Sequence, residues 1–315
     1  MAPARLTAPL LAATLLAVGV LSTGCAAHAP ATAPEAAPAT SLAPLPRPAI
    51  HEIPVADSTA SKSMPVEAYL FSSAQRQQVE NARDTLTVRC MQRFGLSYTP
   101  PPPPPATDRG QATHRYDVSD PANGYRPPGP APTPRPAPPQ LSSDAVNVMS
   151  GGEVPGSSKT VTSYHGLPIP KGGCAGEADA RLTAQGGSIL DSQLAVGINF
   201  DNYQRSMTDD RLTAVFRQWS DCMKAKGYQY PTPNDAMKDS RWKPTAPAPS
   251  ADEIAVATAD SACRQQTNVI GTWYTVESAY ETEAIQAAQP ELTKVKAGIA
   301  AVVHNAETVN SGGSL

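Results

Sequence analysis

The sequence has few aromatic side chains and little charge of either sign. Of its 315 residues, 5% are aromatic and 17% are charged, and the formal net charge is −3. Lysine and arginine are scattered and never form a basic run. A surface of this kind lacks the electrostatic footprint that nucleic acids require, so nucleic-acid binding is not expected.

The chain also lacks the short motifs of common catalytic sites. It contains no G-x-S-x-G nucleophile elbow, and its histidines show neither H-x-x-x-H nor H-E-x-x-H spacing. The histidines that follow the N-terminal region are predicted to lie in loops or in a frayed terminus: His51, His114, His165 and His304. We therefore predict no enzymatic activity and no catalytic, cofactor-binding or metal-binding residue.

One pair of acidic residues leaves an alternative open. Glu177 and Asp179 follow Cys174 closely and could form a paired carboxylate site. Two acids in the first turn of a helix, however, commonly complement the helix dipole. The dipole interpretation is the favoured one.

Proline, in contrast, is abundant, with 34 residues. Residues 25–63 are rich in Ala, Pro, Ser and Thr and are predicted to form a disordered stalk, because they cannot bury enough apolar surface to offset ordering. A second Pro-rich stretch near 100–139 begins with the run Pro100 to Pro105 and predicts polyproline II or irregular chain. It is either a stiff surface loop or a ligand for a partner's groove.

The first 24 residues are typical of a signal peptide. Arg5 supplies the positive start, and the apolar stretch 10–21 is too short to span a bilayer comfortably. The end of this segment, from Leu21 to Cys25, resembles a bacterial lipobox, although Ser22 stands where that family prefers leucine. The resemblance implies that Cys25 is acylated and anchors the chain to the outer face of the cell membrane.

A second cleavage position predicts a different fate. The A-x-A pattern Ala27-His28-Ala29 would release a freely secreted protein. Pro30 would follow that cut, and its rigid ring disfavours the extended backbone that a peptidase grips. The lipid anchor is therefore the favoured interpretation.

Helical signals dominate the rest of the chain. Ser72 and Gln75 form a capping-box pair that opens a helix ended by Gly95. A short helix is predicted to begin near Cys174 and to end at Leu182, and another is predicted over 189–205. A third begins at a Thr208 cap and ends at Gly227. A long helix is predicted from Ser250 through Ala288, and a last one after Pro290. No βαβ alternation is present, so the predicted fold class is mainly α.

A repeated motif indicates two related units. Residues 90–98 and 222–230 both read C-M-x3-G-x2-Y, each at the end of an amphipathic helix, and a further cysteine near a predicted helix start follows each copy. We infer two degenerate helix–Cys–helix units, 64–182 and 183–305, followed by a disordered tail over 306–315.

The second copy resembles a motif of secreted lipoproteins of high-GC Gram-positive bacteria, C-M-x3-G-x2-[FY]-P. The matching positions are Cys222, Met223, Gly227, Tyr230, Pro231 and Pro233. The resemblance covers a small part of the chain. It implies an exported protein that faces the cell envelope, and it implies no particular chemistry.

Besides Cys25 there are four cysteines, an even number that suits disulfides in an oxidising compartment. A zinc site made of all four is the alternative, but zinc ligands usually come in closely spaced pairs. Three disulfide pairings are possible, and the repeat favours one crosslink per unit: Cys90–Cys174 and Cys222–Cys263.

Two tryptophans have contrasting sequence contexts. Trp219 shares a helix face with apolar residues and is predicted to lie in the core. Trp242 lies in a loop without periodic apolar neighbours, and it either covers a helix exit or belongs to a binding surface.

The function expected from these features is that of a non-enzymatic, lipid-anchored envelope protein. It would bind or support another envelope component, such as a protein or wall component of unknown identity. A solute-binding lipoprotein of a transporter is the first alternative, although such proteins usually have two α/β lobes. A cell-wall hydrolase is the second alternative and is suggested by location alone.

Overall fold

The fold is built mainly from helices, as predicted. The computed structural model describes residues 45–102, 116–118, 120–126, 140–152, 161–243 and 246–315, which belong to one compact unit, Leu42–Leu315. Its α-helices are α1 Ser73–Arg93, α2 Ser143–Ser150, α3 Gly173–Leu182, α4 Gln193–Met207, α5 Asp210–Ala225, α6 Pro233–Met237, α7 Ala251–Thr267, α8 Val269–Ala287 and α9 Gln289–Asn310. Short 3₁₀ turns occupy Pro65–Tyr69 and Pro121–Asn123.

The strands seen in the described part of the chain form one small hairpin. Strand β1, Ser163–Tyr164, pairs antiparallel with β2, Leu167–Pro168. The two strands are joined by His165 and Gly166, which both have positive φ. This is the geometry of a two-residue hairpin turn that matches the twist of its strands.

The helices pack in two groups. Helix α1 packs along α9 and α3, and the short α2 packs on α3. In the other group, α4 packs along α8, while α5 lies against both α7 and α8. Because α9 packs on α1, the C-terminal helix joins the helices of the first predicted unit, and the predicted division between 182 and 183 does not follow the packing.

The larger apolar core lies in the group formed by α4 to α8. Trp219 and Trp273 are both fully buried there. Trp219 is therefore a core residue, as predicted. Trp242 is 8% exposed, and its Nε1 donates to the carbonyl of Ala236 at 2.7 Å. Its predicted role as a local cover is confirmed, and the binding-surface alternative is wrong.

Residues 45–63 are not part of a disordered stalk, so the predicted stalk is wrong over this range. They contain no helix or strand, but they are held against the folded helices. Arg205 donates to the carbonyl of Leu45 at 2.6 Å, and Arg47 forms a salt bridge with Asp209 at 3.0 Å. A segment poor in apolar residues has no core of its own, yet its backbone and charged groups find partners on a neighbouring surface. Residues 25–44 lie outside the described residues.

The long helix predicted from Ser250 through Ala288 is two helices. Asn268 separates α7 from α8 with φ +55°, in the left-handed region. Its side chain donates to the carbonyl of Pro54 and accepts from the N–H of Ala56, both at 3.2 Å. Asparagine tolerates this conformation better than most residues do, and the bonds to segment 45–63 hold it there.

Other predicted boundaries shift by local capping. The cap of α5 is Asp209, whose carboxylate accepts from the N–H of Arg211 at 2.9 Å, and Thr208 instead ends α4. Helix α4 itself lies a few residues beyond the predicted range 189–205. The predicted disordered tail is wrong over residues 306–310, because α9 continues to Asn310 with Val309 buried against α1 and α3.

Both predicted disulfides are present. The Cα atoms of Cys90 and Cys174 lie 5.5 Å apart, and those of Cys222 and Cys263 lie 5.7 Å apart. These distances are ordinary for disulfides. The four-cysteine zinc alternative is wrong, because sulfurs bonded in pairs are not thiolate ligands.

The repeated motif forms the same helix end twice. Its glycine has positive φ in both copies, +71° and +90°. The N–H of the residue after the glycine donates to the carbonyl of the motif methionine. The distance is 3.1 Å from Leu96 to Met91 and 3.0 Å from Tyr228 to Met223. This is the bond that closes a helix whose C-terminal glycine is left-handed. The similarity stops at the partner cysteines, because Cys174 opens α3 whereas Cys263 lies near the end of α7. The predicted helix-start position is therefore wrong for Cys263.

Among the described residues, no helix has the length and apolar character needed to cross a bilayer.

Candidate functional site

The residue predicted to be lipidated, Cys25, lies outside the described part of the chain. So do His114 and most of the Pro-rich stretch 100–139. Their roles therefore stay predictions from sequence. The predicted signal peptide and the alternative cleavage site at 27–29 also lie outside the described residues.

The acidic pair beside Cys174 joins two helices. Glu177 forms ion pairs with Arg93 of α1 and, at 2.9 Å, with Arg181. Asp179 forms a two-bond ion pair with Arg83 of α1, with one bond of 3.1 Å. The hydrogen bond from Arg93 lowers the pKa of the Glu177 carboxyl below its usual value. The predicted dipole role is wrong, because α3 begins at Gly173 and its first turn carries no acid.

The described histidines do not form a site. His51 lies in the segment 45–63, His165 in the hairpin turn and His304 on α9, and all three are exposed. His165 stacks on Tyr164 with ring centroids 4.2 Å apart. His304 lies within a continuous helix, so the predicted frayed terminus is wrong there.

A buried ion pair lies under the aromatic core, and sequence reasoning missed it. Asp260 and Arg264 on α7 are both fully buried and form two bonds, of 2.7 and 2.9 Å. Trp219 and Tyr125 donate to Asp260 at 2.8 and 3.1 Å, and Arg264 donates to the carbonyl of Tyr116. Burial, together with the nearby Asp260 carboxylate, raises the pKa of Tyr125 well above its usual value. The i,i+4 spacing of Asp260 and Arg264 was the available signal.

A second buried carboxylate, Asp209, joins three parts of the chain. It pairs with Arg47 from segment 45–63 and with Arg211 from α5, and it accepts from the hydroxyl of Tyr280 on α8 at 3.0 Å. Burial opposes ionisation of Asp209, but the hydrogen bonds from Arg211, Tyr280 and Arg47 hold its pKa below the usual value. This carboxylate is committed to the fold.

Two further acids lie buried on α8. Glu277 accepts from Trp273 Nε1 at 3.1 Å, and Glu281 accepts from the N–H of Val66 at 3.0 Å. A buried carboxylate is costly unless it is hydrogen-bonded, so these contacts are structural requirements. Glu281 and Asp209 therefore connect separate elements of the fold, whereas the Glu277 contact lies within α8.

A polar groove of about 350 Å³ lies beside the buried ion pair. Asp117 lines it, but its carboxylate already accepts from the hydroxyl of Ser58 and the N–H of Thr59, both at 3.0 Å. Arg264 also lines it and is committed to Asp260 and Tyr116. Asp117 and Arg264 are therefore both bonded to other parts of the fold.

A different surface exposes apolar side chains. Leu190 is 66% exposed, Val196 40% and Phe200 60%. Most large apolar side chains of the described residues are covered, and the other exposed ones are separate in sequence, at Val55, Leu167 and Leu315. We call Leu190, Val196 and Phe200 the α4 apolar surface. Val196 and Phe200 lie one helical turn apart on α4, so they are neighbours on one face.

The opposite face of α4 explains why these side chains point outward. Ala195 and Ile198 are buried in the large core, and α4 packs along α8 through that face. The side chain of the buried Asn202 donates to the carbonyl of Ile198 at 2.7 Å and accepts from Arg205 at 2.9 Å. Because Ala195 and Ile198 pack in the core against α8, α4 cannot rotate to bury Phe200 without exposing them.

An apolar groove of about 300 Å³ adjoins this surface. Leu190 lines it from one side, and Val295 and Ile299 of α9 line it from the other, with Lys294 at its edge. The chain approaches α9 closely at Gly187, where an added Cβ would come within 2.5 Å of the Gly298 carbonyl oxygen.

Asp191 holds this part of the chain in place. Its carboxylate accepts from the N–H of Phe71 at 2.9 Å and forms a salt bridge of 2.6 Å with Arg76. Leu190 is the adjacent residue, so an exposed apolar side chain is presented on an ordered backbone. The arrangement has the properties of a contact surface, since it can bury apolar area without first being ordered.

Comparison with protein-family models, with curated proteins and with solved structures finds no match to this chain.

Proposed function

We propose that this chain is a non-enzymatic, extracytoplasmic interaction module, tethered to the outer face of the cell membrane by a lipid on Cys25, whose α4 apolar surface contacts another component of the envelope. The tether is proposed from the lipobox resemblance of residues 21–25. The two disulfides are consistent with an oxidising compartment.

The observation that carries the interaction role is the exposure of three large apolar side chains on a fixed backbone. Exposed apolar groups cost free energy in water, and neighbouring ones, such as Val196 and Phe200 on one face of α4, commonly mark a binding surface. The two disulfides crosslink the helices of both packing groups. A rigid scaffold suits a contact surface, because little conformational freedom is lost on binding.

The alternatives have less support. A two-lobed α/β solute receptor needs a sheet in each lobe. In the described residues the only sheet is one hairpin, and each of its two strands has two residues. A wall hydrolase is suggested by location alone. Incubating the purified chain with cell-wall material, with and without a chelator, tests it directly. Turnover in either sample would contradict the non-enzymatic proposal.

Site-specific crosslinking tests the interaction role. A photoreactive aromatic amino acid replaces Phe200 in cells that produce the full chain, and the same replacement at Leu167 is the control. Leu167 is 46% exposed on the hairpin, away from α4 in sequence. We expect an adduct from position 200 that weakens when Val196→Ser is added, and none from position 167. Equal labelling at both positions, or none at 200, would contradict the proposal.

A further inference from the structure

We propose that the surface where α4 meets α5 is a binding site for an extended peptide that carries the sequence Pro-Arg-Pro. Residues 45–48 of the chain occupy this site in the structure, and we call them the internal ligand. The proposal uses neither the α4 apolar surface nor the lipid anchor, so its failure would leave both of them standing.

Arginines of the folded helices bind the backbone of the internal ligand. Arg205 of α4 donates to the carbonyls of Leu45 and Pro46, at 2.6 and 3.2 Å. Arg211 of α5 donates to the carbonyl of Pro48 at 3.1 Å, and Pro48 itself is buried. Contacts to carbonyls around a buried proline suit a proline-rich peptide, because proline holds such a peptide extended before it binds.

The side chain of Arg47 supplies the contact that distinguishes one sequence from another. Its guanidinium forms two bonds with the Asp209 carboxylate, one of 3.1 Å from Nε and one of 3.0 Å from Nη2. Asp209 is only 4% exposed, so the charged end of the ligand meets a buried carboxylate. Lysine would not reproduce both bonds, because the pair depends on the planar fork of the guanidinium. The site therefore favours arginine next to the buried proline.

The groups that bind the internal ligand are positioned by other contacts within the fold. Arg205 donates to the buried Asn202 at 2.9 Å, and its guanidinium lies 4.4 Å from the centroid of the Tyr280 ring. Arg211 forms a salt bridge of 2.7 Å with Asp209, which also accepts from the Tyr280 hydroxyl. None of these contacts uses the internal ligand. The site therefore stays formed when that ligand leaves, and a peptide can enter it without first ordering it.

The internal ligand is joined to the fold by a stretch that adds little to its attachment. Residues 49–53 form no hydrogen bond with the described residues, and His51 and Glu52 are exposed. Hydrogen bonds to the helices resume at Pro54, whose carbonyl accepts from Asn268 at 3.2 Å. The internal ligand can therefore leave its site while the contacts from Pro54 onward remain.

The motif that fills the site occurs twice in the sequence. Residues 43–49 and 131–137 both read A-P-x-P-R-P-A, with Leu45 and Thr133 at the variable position. Residues 43–44 and the whole second copy lie outside the described residues. The first copy shows which groups bind the shared Pro-Arg-Pro, and a peptide with the sequence of the second copy offers the same groups with different flanking residues.

Titration with a synthetic peptide tests the site directly. The chain is purified with Cys25→Ser, so that no lipid is attached, and its binding to a fluorescein-labelled peptide of residues 43–50 is measured by fluorescence anisotropy. The internal ligand competes with the added peptide, so the double variant Arg47→Ala/Pro48→Ala should bind the peptide about tenfold more tightly than the unchanged chain. A peptide of residues 131–138 should bind the double variant equally well.

Substitutions in the peptide and in the site show which contacts are used. Peptide 43–50 with Arg47→Ala should bind the double variant about tenfold less tightly, because it lacks the two charge-assisted bonds to Asp209. Arg205→Ala, added to the double variant, should weaken binding by a similar factor. Arg217→Ala is the control, because this residue is exposed on α5, and it should leave binding unchanged. Thermal melts establish that each variant is folded.

The unchanged chain provides a second test that needs no substitution in the site. Peptide 131–138 with a photoreactive amino acid in place of Pro138 is irradiated with the chain, and the adducts are located by mass spectrometry. We expect adducts on the end of α4 and the start of α5, and we expect excess unlabelled peptide 43–50 to suppress them. Adducts that are scattered over other helices would overturn the proposal.

The oligomeric state identifies the source of the peptide. A dimer of the double variant that Arg135→Ala abolishes would show that a second copy of this chain supplies the motif. A monomeric double variant that binds the peptides would show that another protein supplies it, and either result supports the site. Absence of peptide binding to the double variant, or equal binding of the peptide with Arg47→Ala, would show that residues 45–48 are held only as part of the fold and would overturn the proposal.

Discussion

The two disulfide-closed regions end a helix in the same way but are stabilised differently around it. In the α1–α3 region, Cys90–Cys174 is accompanied by partly exposed ion pairs, such as Arg83–Asp179. In the α5–α7 region, Cys222–Cys263 adjoins a large aromatic core and the fully buried pair Asp260–Arg264. A shared local motif therefore specifies the helix end, whereas the surroundings decide which interactions hold the region.

The comparison predicts that the first region depends more on its crosslink. The core residues packed around α1, α3 and α9 include Phe71 and Phe94 but no tryptophan. The partly exposed ion pairs between α1 and α3 contribute little to the free energy of unfolding. The second region buries Trp219, Trp273 and Phe216. Mutations in matched pairs, one in each region, test this difference.

Removing the crosslinks should have the largest effect. The Cys90–Cys174 bridge closes a separation of 84 residues and the Cys222–Cys263 bridge one of 41. In the chain-entropy model these contribute about 4.5 and about 4 kcal/mol to the free energy of unfolding. We expect the double variant Cys90→Ala/Cys174→Ala to lose more than Cys222→Ala/Cys263→Ala in denaturant unfolding. A larger loss for the second pair would contradict the comparison.

Trp219→Ala should cost nearly as much, since it removes core volume and a donor to a buried carboxylate. The side chain is fully buried and bonds Asp260 at 2.8 Å. We expect a loss of roughly 3–5 kcal/mol in the free energy of unfolding. Trp242→Ala is the control, because this residue lies at the edge of the core with 8% exposure, and it should cost about 2 kcal/mol. A Trp219→Ala protein that melts like the wild type would refute the core assignment.

Ion pairs sharpen the contrast between the regions. Asp260→Asn leaves the buried Arg264 without its carboxylate and should cost about 3 kcal/mol. Asp179→Asn removes a partly exposed partner of Arg83 and should cost less than about 1 kcal/mol. Thermal melts of the two variants measure the difference. Similar losses would show that the buried pair is no more important than the exposed one.

Acidification should reveal a smaller effect. The folded-state pKa of Asp209 is lowered, so its contribution to stability is present above about pH 4 and is lost as the pH falls through the folded value. Asp209→Asn should therefore lower stability at neutral pH and flatten the acid side of the stability profile. Unfolding curves between neutral and acidic pH check this. If the variant loses stability with falling pH as steeply as the wild type does, then carboxylates other than Asp209 cause that loss, and this prediction is wrong.

The local features of this fold could be predicted from the sequence. Caps and left-handed glycines act within a few residues, so Ser72, Gly95 and Gly227 gave correct helix ends. Helix α2 was missed, although Ser142 caps it and Gly151 ends it with positive φ, because it is only eight residues long. The break at Asn268 was missed because no glycine or proline marks it.

The features that depend on distant contacts could not be predicted. Trp219 and Asp260 lie 41 residues apart, so their bond depends on how α5 and α7 pack. Composition alone made segment 45–63 resemble a stalk, since the residues that hold it lie far along the chain. The exposure of Phe200 likewise depends on which face of α4 meets α8.

The membrane tether is the central claim, and one measurement tests it most directly. Cells producing the wild-type chain or Cys25→Ala are labelled with a radioactive fatty acid and separated into membrane and medium. The account predicts that the wild type is labelled and remains with the membrane, whereas the Cys25→Ala chain is unlabelled and its folded, disulfide-bonded form appears in the medium. A variant that still incorporates the fatty acid would contradict the claim.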